Sequence, residues 1–173
     1  MDNVSNEDRV NFATTSGFAT TGHVLPTGPR PSSAQESLDN AKKTASEIVS
    51  RYGNNEGYDV VLECSGVESC MQMAIHAANP GGKVVYIGMG TSNASLPISA
   101  AAFREVDILG VFRYANTYPE AIALFAAGRL PGVDKIATTR FPLSKATEAF
   151  ETLLKGKDQD GNMVIKMMIV PDE

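Results

Sequence analysis

The sequence has few of the residues that mark several large classes of protein. It has two cysteines in 173 residues, too few for a disulfide-stabilised scaffold and typical of a reducing compartment. Its 15 basic residues are outnumbered by 20 acidic ones, which argues against a surface that binds nucleic acid or an anionic membrane. No apolar run approaches the roughly 20 residues that span a bilayer, and the polar first residues predict no secretory signal. We therefore expect a cytoplasmic α/β protein.

Residues that bind metals are also scarce. A zinc site needs three or four converging ligands, and the sequence contains two cysteines, two histidines and no C-x-x-C or H-E-x-x-H pattern. Cys64 and Cys70 are expected to be small buried residues, with a ligand or redox role as the alternative. His23 is expected to be solvated and His76 to be a structural histidine on a helix. The sequence thus predicts no metal site, and these histidines support no Ser-His-Asp arrangement.

The sequence does contain alternating helical and strand patterns. Short apolar runs predict strands at residues 58–63, 83–88, 107–112 and 163–170, with a weaker strand-like piece at 22–25. Apolar residues at helical spacing predict helices at residues 5–13, 37–52, 67–78, 119–127 and 144–155. Such an alternation is typical of a parallel sheet covered on both faces. The carboxyl ends of parallel strands meet at one edge, where ligands bind.

Several local signals refine these elements. Ser37 and Ser144 are predicted to cap the helices that follow them. Residues 79–82 (NPGG) predict a turn before the second strand. The final helix is predicted to turn one apolar face to the core, made of Ala146, Ala149, Phe150, Leu153 and Leu154.

Two segments that follow predicted strands are candidate binding residues. Gly88-Met89-Gly90 has Asn93 where a third glycine would complete a phosphate loop, so a phosphate loop and an ordinary turn both remain open. Arg113 and Tyr114 follow the third strand and offer a guanidinium and a phenol, which suit a polyhydroxylated ligand. A solvated arginine beside a packed tyrosine is the alternative.

Four stretches together resemble one enzyme family: residues 63–68 (ECSGVE), 80–90 (PGGKVVYIGMG), 104–119 (REVDILGVFRYANTYP) and 139–143 (TRFPL). They are similar to the C-terminal half of the zinc-dependent polyol dehydrogenases, which include the sorbitol, xylitol and arabinitol enzymes, within the medium-chain dehydrogenase/reductase family. The third stretch is the most specific, and the resemblance covers roughly residues 58–170.

The resemblance implies an incomplete Rossmann-type, doubly wound parallel sheet. A C-terminal helix and strand would belong to a catalytic domain that is absent. The implied division is a loop-rich remnant of the first Rossmann half at residues 1–35, the C-terminal part of the dinucleotide-binding domain at 36–136, and a return segment of the catalytic domain at 137–173.

The resemblance also implies roles for individual residues. Ile87, Gly88 and Met89, together with Val111, Phe112 and Arg113, would line the NAD cofactor. Asp2 and Arg9 would hold the adenosine ribose, which favours NAD over NADP. Arg113 and Tyr114 would also reach the polyol substrate.

Two features that the family's reaction needs are not found in this sequence. The family activates the alcohol on zinc and seats the pyrophosphate on a G-x-G-x-x-G turn, and the sequence shows neither the zinc ligands nor that turn. We therefore expect no catalytic residues and a truncated polyol dehydrogenase-like chain that is inactive alone. The alternatives are a non-catalytic protein that pairs with full-length dehydrogenases or with itself, and a residual nucleotide-binding module or an enzyme of new chemistry.

Overall fold

The structure is a computed structural model that describes residues 7–25, 28–52 and 56–172. Helices and strands alternate over most of this part of the chain. In chain order the elements are α1 (Glu7–Thr15), α2 (Ala34–Arg51), β1 (Tyr58–Glu63), α3 (Glu68–Ala77), β2 (Ala78–Tyr86), α4 (Ile98–Ala102), β3 (Asp107–Gly110), α5 (Tyr118–Ala126), β4 (Ala137–Pro142), α6 (Ala146–Lys155) and β5 (Lys166–Val170). None of the helices within these ranges combines the length and the apolar character that crossing a membrane requires.

The described residues divide into two compact units. The first contains those from 25 to 115, and the second contains those from 7 to 24 and from 116 to 172. The first unit holds a three-stranded parallel sheet in the order β1-β2-β3, and the second holds a parallel pair of β4 and β5. These sheets confirm the predicted α/β class with parallel strands. The domain boundaries given by the resemblance remain a prediction.

The core of the first unit lies between α3 and one face of its sheet. Val84 of β2 and Ile75 of α3 are fully buried there, and Ala74, Ala101 and Val106 complete the cluster. Small alanine side chains let the helix approach the sheet closely, and burying a valine or isoleucine side chain stabilises the fold by about 1.5–3 kcal/mol.

The opposite face of the sheet is open. Side chains alternate along a strand, so Val60 and Leu62 lie on the face away from Val61, and they are 53% and 61% exposed. Leu109 of β3 is exposed on the same side. The sequence predicts helices over both faces, but among the described helices of the first unit α2 packs on α3, which covers the other face.

Helix α2 begins three residues before its predicted start. Its N-cap is Ser33, whose hydroxyl accepts a hydrogen bond from the Glu36 N–H at 3.1 Å. The Glu36 carboxylate reaches back to the N–H and hydroxyl of Ser32 at 2.6 and 2.5 Å, and these bonds lower the pKa of Glu36. The predicted cap, Ser37, instead donates its hydroxyl at 2.8 Å to the side-chain oxygen of Gln72, a fully buried residue of α3.

Strand β2 begins at Ala78, five residues before the start predicted at residue 83. Its pairing with β1 shifts register between Tyr58 and Val60, and Gly81 has a φ of +73°. The predicted turn at residues 79–82 is therefore present as an irregularity inside the strand rather than before it.

Arg104 ties the end of α3 to α4. Its guanidinium donates hydrogen bonds to the carbonyl groups of Ile75, Ala78 and Ala100 at 2.6, 2.7 and 2.9 Å. Ile75 lies in the last turn of α3 and Ala78 is the residue that caps it; carbonyl groups at such a helix end lack helical partners, and a positive charge is favourable there. The Arg104 carbonyl accepts the Gly81 N–H at 2.8 Å, so one residue joins two elements to the start of β2.

His76 lies half-buried on α3, as the structural interpretation predicts. Burial of the imidazole, and then the positive charges of Arg104 and Lys42, lower the pKa of His76 below its ordinary value of 6.5. The ring is therefore neutral at pH 7.

The structure departs from the sequence-based prediction in three further places. Residues 22–25 form no strand. Helix α6 begins at Ala146, after a short 3-10 turn, and the hydroxyl of Ser144 donates to Asp172 at 2.6 Å instead of capping it. Of the apolar face predicted for α6 only Ala149 is fully buried, and Leu154 is 89% exposed. The amphipathic pattern of residues 146–154 correctly predicts a helix, but it does not predict which element the helix packs against.

Candidate functional site

The three strands of the first sheet end side by side. Glu63 at the end of β1 lies opposite Tyr86 of β2, which lies opposite Gly110 of β3. Because the strands are parallel, the loops that follow them leave the sheet at one edge. The predicted residues 87–89 and 111–113 are thus brought to the same edge, which we call the strand-end edge.

Backbone hydrogen bonds hold these loops beside one another after the strands have ended. The N–H groups of Ile87 and Gly88 both donate to the Glu63 carbonyl, at 2.8 and 3.0 Å. The Val111 N–H donates to the Tyr86 carbonyl at 3.0 Å. The strand-end edge is therefore a continuation of the sheet.

Three glycines let the first two loops touch through backbone atoms. A Cβ added at Gly66 would overlap Gly90 and the residue before it, and one at Gly88 or Gly90 would overlap Gly66. The Gly66 carbonyl also accepts the Thr91 N–H at 3.2 Å. The next helix, α4, begins only at Ile98 and is five residues long, so residues 88–90 do not open a helix as a phosphate loop does. The geometry supports the turn interpretation of Gly88-Met89-Gly90, with glycine required by close packing.

Glu63 is a buried acid at this edge for which the sequence pattern predicts no role. Its carboxylate accepts the Ser65 N–H at 2.8 Å, the Ser65 hydroxyl, and the Gly66 N–H at 3.1 and 3.0 Å from its two oxygens. Burial, with a further contribution from this carboxylate, raises the pKa of Tyr86 to about 12, so the phenol stays protonated and donates to the Met71 carbonyl at 3.0 Å. The signal in the sequence is an acid at the end of an apolar strand, with Ser65-Gly66 beginning two residues later.

Exposed apolar side chains line the outer side of the edge. Ile87, Met89, Val111 and Phe112 are all exposed, and Met89 is 68% exposed. The Arg113 guanidinium carbon lies 5.0 Å from the centre of the Phe112 ring, within the range of a cation–π interaction. This combination of apolar surface and one cation suits a flat aromatic ring that carries polar or anionic groups.

Arg113 has an unusual backbone conformation. Its φ is +56°, in the left-handed region that residues other than glycine rarely adopt. Such a conformation costs about 1–3 kcal/mol and is found more often at functional sites than elsewhere. Tyr114 follows and is also exposed, so the two predicted substrate residues are neighbours on the surface.

The resemblance assigns the adenosine ribose to two residues near the N-terminus. Asp2 lies outside the described residues. Arg9 lies on α1 in the second unit and is exposed. The edge is formed by residues of the first unit alone.

The cysteines differ from one another. Cys70 is buried as predicted, but Cys64 is exposed, so the expectation that both are buried is wrong for Cys64. Cys64 follows β1 directly, and its loop position leaves the thiol at the surface. Both line an apolar cavity of about 370 Å³ beside β1, together with Ile48, Val61 and Met73. Among the residues that the structure describes, no three His, Cys, Asp or Glu side chains are grouped so that they could bind a metal.

Comparison with known proteins assigns this arrangement to a family. Residues 5–127 match the family described as zinc-binding dehydrogenase. A sorbitol dehydrogenase of Mus musculus is 49% identical over 117 residues, 66% of this chain and 32% of that protein. One from Macaca fascicularis is 42% identical over 135 residues, 74% of this chain and 38% of that protein. The chain thus spans about a third of the length of the curated relatives it matches.

Solved structures share the fold at lower identity. A zinc-binding dehydrogenase from Sinorhizobium meliloti 1021, bound to NADP, aligns with a TM-score of 0.72 at 21% identity, over 96% of this chain and 43% of that one. The alcohol dehydrogenase TADH from Thermus sp. ATN1 aligns with a TM-score of 0.68 at 21% identity, over 96% of this chain and 42% of that one. With the match to residues 5–127, we conclude that the chain belongs to the zinc-binding dehydrogenase family.

Proposed function

We propose that this chain is a polyol dehydrogenase-like protein of the cytoplasm whose strand-end edge binds the nicotinamide end of NAD. The observation that carries the proposal is the register of Glu63, Tyr86 and Gly110, which brings residues 87–89 and 111–113 to one edge in a member of this family. The sorbitol dehydrogenases to which the chain is similar support a polyol as the substrate class.

The proposed edge residues have distinct tasks. Ile87, Met89 and Val111 offer apolar surface to the nicotinamide ring, and Gly88 keeps the backbone close to the neighbouring loop. Phe112 holds the Arg113 guanidinium by the cation–π contact.

Substrate contact falls to the next two side chains along the chain. A guanidinium can donate two parallel hydrogen bonds to neighbouring hydroxyl groups. We assign this task to Arg113, and a further hydrogen bond to the phenol of Tyr114. Both side chains would then act on a polyol that lies against the nicotinamide.

The described residues do not fit a catalytic zinc ion, because no three possible ligands are grouped among them. Members of the family activate the alcohol on that ion when it is bound. We therefore propose that the chain alone binds the dinucleotide without oxidising the polyol. Orientation of the ring and of the substrate hydroxyls is the contribution of its own residues.

A titration of the chain with NADH tests the binding proposal. NADH fluorescence is excited at wavelengths where protein side chains do not absorb, so an increase in its emission reports binding. We expect saturable binding that Arg113→Ala weakens several-fold. Arg30→Ala removes an exposed arginine of the same unit and should leave the affinity unchanged. No saturation at millimolar NADH would contradict the proposal.

The same titration tests the nucleotide preference. Asp2 and Arg9 are proposed to hold the adenosine ribose, and a carboxylate at residue 2 would repel the 2′-phosphate of NADPH. NADH should then bind more tightly than NADPH, and Asp2→Ser should reduce the difference. Equal affinities in the unsubstituted chain would contradict this assignment.

A second candidate function is pairing with full-length dehydrogenases or with itself. The open face of the first sheet favours it, because exposed apolar side chains such as Val60 and Leu62 mark interaction surfaces. Light scattering of the chain, alone and mixed with a full-length polyol dehydrogenase, would detect the complex. Leu62→Ser should weaken it, and a chain that stays monomeric in both samples would exclude this function.

A further inference from the structure

Glu63 is a buried acidic residue whose hydrogen-bond donors are all uncharged. The residue is only 6% exposed, and none of the salt bridges found among the described residues involves it. A buried carboxylate is costly unless hydrogen bonds replace its hydration. The donors here are the N–H and hydroxyl groups of Ser65 and the Gly66 N–H. The charge therefore fixes the first turn after β1.

The main chain of the same residue fixes the next loop. The Glu63 carbonyl accepts the N–H groups of Ile87 and Gly88 at 2.8 and 3.0 Å. Gly66, which the carboxylate holds, touches Gly88 and Gly90 through backbone atoms and accepts the Thr91 N–H at 3.2 Å. A shift of Gly66 cannot leave residues 88–91 in place, because no side-chain layer separates the two loops.

We propose that Glu63 is a positioning residue for the strand-end edge. Its carboxylate sets the place of Gly66, and Gly66 sets the loop at residues 87–91 whose side chains face the dinucleotide. This inference rests on the proposed function of that edge, and it gives a task to a residue that does not itself reach the ligand.

Glu63→Gln is the sharpest perturbation. The substitution keeps the size of the side chain and removes its charge. Both carboxylate oxygens lie within 3.1 Å of the Gly66 N–H, so an amide group that keeps its oxygen toward Ser65 must place an NH₂ group against that N–H. A donor then faces a donor. Glu47→Gln on the exposed side of α2 is the matched control.

Amide hydrogen exchange of the apo chain measures the effect directly. We expect Glu63→Gln to speed exchange at residues 87–91 about tenfold, while exchange in α3 and throughout the second unit matches that of the unsubstituted chain. Glu47→Gln should change neither. In the NADH titration, Glu63→Gln should raise the dissociation constant for NADH several-fold. Because amide exchange in α3 is expected to be unchanged, this weaker binding would not reflect a general loss of stability.

Three results would overturn the inference. Faster exchange confined to residues 65–66 would show that Glu63 organises only its own turn. Uniformly faster exchange across the first unit would show a general contribution to stability. An unchanged exchange pattern together with an unchanged affinity for NADH would show that Glu63 has no positioning role. If Glu63→Gln does not fold, Ser65→Ala takes its place, and the same localised pattern is required of it.

The proposed function can fail separately. A chain that does not bind NADH would refute the binding proposal, whereas the exchange pattern of the apo chain would still decide whether Glu63 positions residues 87–91.

Discussion

Replacing Arg104 by methionine should destabilise the first unit strongly. The guanidinium is the hydrogen-bond partner of the Ile75, Ala78 and Ala100 carbonyl groups, and both Ile75 and Ala78 are fully buried. Methionine fills part of the space but donates nothing. An acceptor left without a partner in a buried place costs about 1–3 kcal/mol.

We expect Arg104→Met to lower the free energy of unfolding by about 2–4 kcal/mol, since two buried acceptors lose their donor and the contributions are not additive. The stability of Arg104→Lys should fall between that of the unsubstituted chain and that of Arg104→Met, because an ammonium keeps the charge but cannot reach three carbonyl groups as a planar guanidinium does. Urea denaturation followed by circular dichroism measures both. With a slope of about 2 kcal/mol per M, the midpoint should fall by roughly 1–2 M.

The control is Arg30→Met, which removes an exposed arginine of the same unit. It should change the free energy of unfolding by no more than about 0.5 kcal/mol. If Arg104→Met and Arg30→Met have the same midpoint, the guanidinium does not stabilise the end of α3, and the reasoning is refuted.

Three further predictions concern single positions. Gly66→Ala should destabilise the chain by well over the roughly 1 kcal/mol expected for Gly81→Ala, because both have a positive φ but only Gly66, of these two, lies against another stretch of backbone; equal urea midpoints would contradict the close packing. His76 has a lowered pKa in the folded state, so the unfolded chain binds its proton first and stability should fall as the pH drops below about 6.5. His76→Asn should flatten that part of the stability profile, and an unchanged slope would exclude His76 as its cause. Tyr86→Phe removes the bond to the Met71 carbonyl and should cost about 1 kcal/mol in thermal unfolding, whereas no change would mean that water replaces the phenol.

Strand β1 shows where the sequence was sufficient. The sequence predicts both of its ends correctly, because an apolar run is bounded by glycine on one side and closely followed by Ser65-Gly66 on the other. The parallel sheet and the meeting of the strand ends followed from the same alternation of elements. These features depend on local patterns and on general rules of chain connection.

The start of α2 shows where the sequence was ambiguous. Ser33 and Ser37 can both cap a helix, and Ser33 is followed three residues later by Glu36, which is the stronger signal. The structure shows why Ser37 is unavailable: its hydroxyl bonds Gln72, 35 residues away. Periodicity identifies the apolar side of α6 in the same way but cannot say whether another element covers Phe150 and Leu154.

Glu63 shows what the sequence could not reveal. An acid at the end of a strand is ordinarily solvated, whereas the carboxylate of Glu63 holds a turn that Gly88 and Gly90 approach from a loop more than 20 residues away. The role of such a residue follows from the meeting of two loops. Neither loop alone carries that information.

Because Gly66, Gly88 and Gly90 meet through backbone atoms, the positions of the two loops at the strand-end edge do not depend on which side chains the loops carry. Main-chain atoms fix the spacing of the two loops, so the side chain at position 89, which projects from that frame, can change in size or polarity without moving it. A series of substitutions at Met89 would therefore be a way to redesign ligand preference in this fold while its thermal stability stays constant.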